Sequence, residues 1–81
     1  MSTDTRKKLV ARIKELAEEA RISIRNVRRD ANKAIETAEK EKTISEDDRD
    51  SSKEEVQQLT KKYEETVGEV AKTRESDVME Q

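Results

Sequence analysis

The segment LVARIKELAEEARISIRNVRRDANKAIETA, residues 9–38, decides the fold. Its apolar residues Leu9, Ile13, Leu16, Ala20, Ile24, Val27, Ala31, Ala34 and Ala38 recur in steps of four and three. At about 100° per residue these positions, with Ala17 and Ile35, fall within an arc of roughly 100°, which is one amphipathic helical stripe. The mean step lies near the ~3.6 of a free helix rather than the ~3.5 of a heptad, so a nearly straight helix with little supercoil is expected. The stripe is bulky early and mostly alanine later, which lets a partner helix approach closely near Ala31 and Ala34.

Working outward, Thr3 or Asp4 offers a cap for this helix, and its pattern runs to about Lys42. The break falls over Lys40-Glu41-Lys42-Thr43-Ile44. Ser45-Glu46-Asp47-Asp48 then reads as an N-cap followed by carboxylates at the positive end of a helix dipole. Asp48 takes the place where a capping box ordinarily carries Glu or Gln. A second helix is predicted over about 46–75, with Val56, Leu59, Tyr63, Val67 and Val70 on one face and Arg49 and Arg74 intruding near its ends. Gly68 weakens it by roughly 1 kcal/mol against Ala. Residues 76–81 are expected to fray. A short connection between long helices gives an antiparallel pair, so the fold class is all-α, a two-helix hairpin forming one domain over residues 1–81.

Composition limits how well such a hairpin holds together. The chain has 81 residues, 30% of them hydrophobic and 47% charged, with Tyr63 the one aromatic. A chain this short buries only about 60% of the surface it exposes when unfolded. The mix borders on disorder, and periodicity is what argues for helices, helped by the absence of Pro and the single Gly. Two stripes this narrow leave each helix wanting a third neighbour. That neighbour is either the remainder of a three-helix bundle or a second copy completing a four-helix bundle, a homo-oligomer.

Chemistry is sparse. There is no Cys and no His, which excludes disulfides, thiolate catalysis and the usual zinc sites. No Gly-rich phosphate loop and no nucleophile elbow is present, so no catalytic residue, metal site or cofactor is predicted and the chain does not read as an enzyme. Exposed Glu and Asp pairs lack the burial that tunes a general acid or base. The acidic run at Ser45–Asp48 is explained by capping. No apolar run approaches the ~18 residues of a spanning helix. With mixed polar faces and no Trp or Phe anchor, membrane binding is not expected either.

What has a functional shape is the charge pattern. Residues 1–35 carry a net +5 and the remainder −7, a division that suggests two surfaces with different partners. Lys7, Lys14, Arg21, Arg25, Arg28 and Arg29 share an arc of about 100° beside the apolar stripe, with Glu18 the main acidic exception. Arginine dominates the dense end, and guanidinium forms two parallel hydrogen bonds to an oxyanion, as phosphate recognition requires. A rigid helix edge bearing such groups can follow a nucleic-acid backbone without reading its sequence. The competing reading has these arginines pairing with Glu or Asp of the second helix as mere solvated surface. Ile22, among the arginines and off the stripe, favours nucleic acid, since it can pack on a sugar or base.

The run Glu19-Ala20-Arg21-Ile22-Ser23-Ile24-Arg25-Asn26-Val27-Arg28-Arg29-Asp30-Ala31-Asn32 closely resembles the signature of the ribosome recycling factor family. So do Lys42-Thr43-Ile44-Ser45-Glu46-Asp47-Asp48, Val56-Gln57-Gln58-Leu59-Thr60 and Asp77-Val78-Met79-Glu80, at gapless spacing from Thr5 onward. The resemblance implies a rod of three helices with a small β domain inserted after the first. It also implies binding to large-subunit RNA of the post-termination ribosome, and subunit splitting together with elongation factor G. By position it assigns RNA contact to Arg25, Arg28 and Arg29, and to Arg21 beside them. The present chain corresponds to the two later rod helices, without the first helix and the β domain that the complete reaction needs. It is expected to work in the cytoplasm or an organellar stroma or matrix.

Overall fold

The computed structural model describes residues 2–80, which form two helices, α1 (Thr3–Lys40) and α2 (Glu46–Met79), lying antiparallel. Among the described residues there is no strand. The hairpin is a rod, 60 × 15 × 9 Å, as expected where 38 residues rise about 1.5 Å each.

The ends are set by local chemistry. Ser2 is extended (φ −71°, ψ 157°), and its hydroxyl accepts a hydrogen bond from the Thr5 N–H at 3.2 Å. The cap is therefore Ser2 and not Thr3 or Asp4, which leaves Asp4 inside the first turn at the positive end of the dipole. α1 stops at Lys40, two residues short of the expected end, because Lys42 turns to φ +60°. Its N–H reaches the Glu39 carbonyl at 2.9 Å, and Thr43 N–H reaches Ala38 at 2.9 Å. Those two bonds are the Schellman closure, built here on a lysine where glycine is usual. α2 opens with a reciprocal capping box. The Asp48 N–H donates to Ser45 Oγ at 3.1 Å and the Ser45 N–H donates to Asp48 Oδ2 at 3.4 Å, so the shorter Asp still reaches. The helix continues to Met79, past the expected end near Glu75. No helix breaker follows Glu75, and half-buried Val78 keeps the last turn against the hairpin. Gln81 lies outside the described residues.

The helices meet along a seam narrower than the apolar stripe. The less exposed positions of α1 are Arg6, Val10, Ile13, Ala17, Ala20, Arg21, Ile24, Arg28, Ala31, Asn32, Ile35, Ala38 and Glu39, and those of α2 include Val56, Thr60, Glu64, Val67, Ala71 and Val78. The seam thus recurs at close to the heptad step, unlike the ~3.6 of the full stripe, because α2 follows one edge of it. Among the described residues only Ala17 and Thr60 are buried, and the Thr60 hydroxyl is satisfied by the Val56 carbonyl at 2.8 Å. Leu9, Leu16, Val27, Leu59, Tyr63 and Val70 remain exposed.

Where the stripe is alanine, ion pairs fasten the hairpin. Arg49 Nη1 donates to Glu39 Oε1 at 3.0 Å, which explains an arginine on the second stripe. Lys53 hydrogen-bonds to Glu36 across the helices. That bond, with the ammonium charge, holds the Glu36 carboxyl below its ordinary value.

Candidate nucleic-acid interface

The hairpin has two unlike faces. On one, Ile13, Leu16, Ala17, Ala20, Val67 and Val70 line an open groove of about 350 Å³ between the helices, with Arg74 at its margin. On the other, α1 presents its arginines toward the edge of α2. The helical repeat places Lys7 and Lys14 on the same edge.

Arg21, Arg25 and Arg28 are drawn together by two carboxylates. Glu18 lies 3.8 Å from Arg21 and 3.5 Å from Arg25, all on α1. Glu64 comes from α2, 4.0 Å from Arg25 Nε and 3.7 Å from Arg28 Nη1. Arg28 is the more enclosed of the two Glu64 partners, its side chain 31% exposed against 47% for Arg25. Arg29 stands apart at 73%, with Asp30 at 3.7 Å. Ile22 is exposed near this edge.

Both readings of the arginines thus find something here: cross-helix pairing exists, yet only one carboxylate of α2 takes part. These contacts run from 3.5 to 4.0 Å, beyond the ~2.7–2.9 Å of a tight charge-assisted bond, so most guanidinium N–H groups remain unspent.

Two contributors were not singled out from the sequence, Glu64 as a partner of the arginines and Gly68 as room for Arg21. A Cβ at position 68 would lie 3.3 Å from Arg21 Nη2. The signal for both was the hairpin register: folding back at Ser45 sets residues near 25 opposite residues near 64. The acidic Ser45–Asp48 run acts as the cap described above, and no cluster of carboxylates suited to a metal ion occurs among the described residues. No helix there is long and apolar enough to cross a membrane.

Comparison with known proteins addresses the sequence as a whole. The family model described as "Ribosome recycling factor" matches residues 1–79. The ribosome-recycling factor of Carboxydothermus hydrogenoformans is 44% identical over 79 residues, covering 98% of this chain and 43% of that protein. Its counterpart in Bacillus subtilis is 42% identical over 80 residues, covering 99% and 43%. That of Campylobacter jejuni is 40% identical over 79 residues, covering 98% and 43%. The chain therefore spans less than half the length of these relatives. With a match running almost from end to end of its own sequence, the chain belongs to the ribosome recycling factor family.

Proposed function

We propose that the hairpin is a ribosome-binding helical unit that lays the arginine edge of α1 along large-subunit ribosomal RNA. In this reading Arg21, Arg25, Arg28 and Arg29 contact phosphates, and the unit takes part, with elongation factor G, in disassembling post-termination ribosomes in the cytoplasm or an organellar matrix or stroma. What carries the reading is a rigid helix edge whose guanidinium groups keep unspent donors, in a chain of this family. Loose contacts with Glu18 and Glu64 leave those donors available to a phosphate, which takes them in parallel pairs. Co-sedimentation with purified large and small ribosomal subunits tests it. Selective pelleting with the large subunit is expected, and equal or absent pelleting with both would contradict it.

A second reading, a structural oligomerisation segment without RNA binding, is favoured by one observation: Leu16 and Val70, which line the groove, and Leu59 on α2 are about half exposed. Self-association through that face is compatible with RNA contact, since Arg21, Arg25, Arg28 and Arg29 do not line the groove. We therefore include a homo-oligomer in the proposal, the copies covering each other's grooves as a four-helix bundle.

A further inference from the structure

We propose that Glu64 is an internal counter-anion of the arginine edge: in the unbound hairpin it holds the place between Arg25 and Arg28 that a nucleic-acid phosphate takes, and so limits how tightly that edge binds RNA. The inference rests on the RNA-contact reading above.

Glu64 Oε1 is shielded from solvent and accepts no hydrogen bond among the described residues, with Arg28 Nη1 at 3.7 Å and Arg25 Nε at 4.0 Å. A shielded carboxylate oxygen without a donor is held by charge alone. Both contacts exceed the ~2.7–3.2 Å of an N–H···O bond, so neither guanidinium spends a donor on it. The arrangement neutralises charge without fixing geometry, and partly exposed pairs of this length contribute little to stability. Phosphate presents the same two-oxygen match to a guanidinium as a carboxylate does, so the two anions compete for one position. Glu18 lies nearer to Arg25 and accepts a hydrogen bond from its Nη1 at 3.5 Å, but its side chain is 54% exposed against 26% for Glu64, it does not contact Arg28, and it moves with the helix that carries the arginines.

The test measures anisotropy of a short fluorescent RNA duplex, and pelleting with large subunits, for wild type, Glu64→Gln, Glu65→Gln and Arg25→Ala/Arg28→Ala. Glu64→Gln keeps shape while removing the charge. It is expected to bind roughly 5-fold tighter and to show a steeper salt dependence. Glu65→Gln makes the same change in net charge on an exposed position without an arginine contact, and should shift affinity less than about 2-fold. Equal gains in both glutamine variants would mean that only net charge counts, and would overturn the inference. So would unchanged or weaker binding by Glu64→Gln. If the arginine double variant binds like wild type, the RNA-contact reading fails and this inference with it. If the arginines matter and Glu64 does not, only the inference fails.

Discussion

Gly68 of α2 makes room for Arg21 of α1, whose Nη2 would stand 3.3 Å from a Cβ built at position 68. The one glycine in the chain therefore lies where an arginine of the candidate RNA edge crosses the neighbouring helix. What an added methyl meets is the far end of a flexible side chain, which can yield by a few tenths of an ångström. Gly68→Ala should raise stability by about 0.5–1 kcal/mol through helix propensity. Urea unfolding followed by circular dichroism checks it. A loss of stability would mean that Arg21 is locked in place.

Lys42 holds φ +60° at the close of α1. An L residue in that region carries a penalty of roughly 1–2 kcal/mol, part of which glycine returns through its freer unfolded chain. Lys42→Gly should stabilise the hairpin by about 1 kcal/mol net, with both Schellman bonds retained. Thermal melts of the two proteins at matched concentration decide it, and a destabilised variant would show that the lysine side chain contributes something glycine cannot.

Much of this was legible in the sequence, and the failures are informative. The stripe from Leu9 to Ala38 and the Ser45–Asp48 cap fix two helices and their turn, because periodicity and capping are local. Which edge of the stripe faces α2 is not local. It depends on Arg21 reaching Gly68, on Arg28 reaching Glu64 and on Arg49 reaching Glu39 across the turn. Leu59, Tyr63 and Val70 share one face by spacing yet stand exposed, because α2 turns its Val56, Thr60, Glu64 and Val67 edge to the seam. That Arg21, Arg25 and Arg28 share one edge was readable from their spacing on one helix. Glu64 was not, since its relation to them appears only once the hairpin register is set.

On assembly, the proposal that a second copy covers the groove face, in place of the remainder of a three-helix rod, predicts a dimer or higher oligomer at micromolar concentration. Leu59 is 54% exposed in the single hairpin, so Leu59→Asp spares the α1–α2 seam while placing a charge in the interface between copies. It should yield monomers and lose much of the helicity that assembly supports. Sedimentation equilibrium reads the first effect and circular dichroism the second. A cooperatively folding wild-type monomer would refute the assembly.

Acid should loosen the turn end. Hydrogen bonding and charge from Lys53 lower the folded Glu36 carboxyl beneath its ordinary value of about 4.5. A carboxyl depressed on folding contributes stability that is present above its unfolded value and lost as pH falls through the folded one. Wild type should therefore lose stability below about pH 4.5 faster than Glu36→Gln does. Unfolding midpoints across that range, measured for both proteins, would be parallel if the pair contributed nothing.

The proposed function requires that the arginine edge of α1 bind RNA through phosphate. The direct measurement is an anisotropy titration of ribosomal RNA at several salt concentrations, comparing wild type, Arg25→Ala/Arg28→Ala and Lys61→Ala/Lys62→Ala. Wild-type affinity should fall as salt rises, with a slope set by the phosphates neutralised. The arginine variant should lose both affinity and part of that slope with helicity intact, since Ala is the better helix former. The lysine variant, altered in the acidic half, should change far less. If the arginine variant binds like wild type, with the same slope, the basic edge is solvated surface and the oligomerisation reading replaces this one.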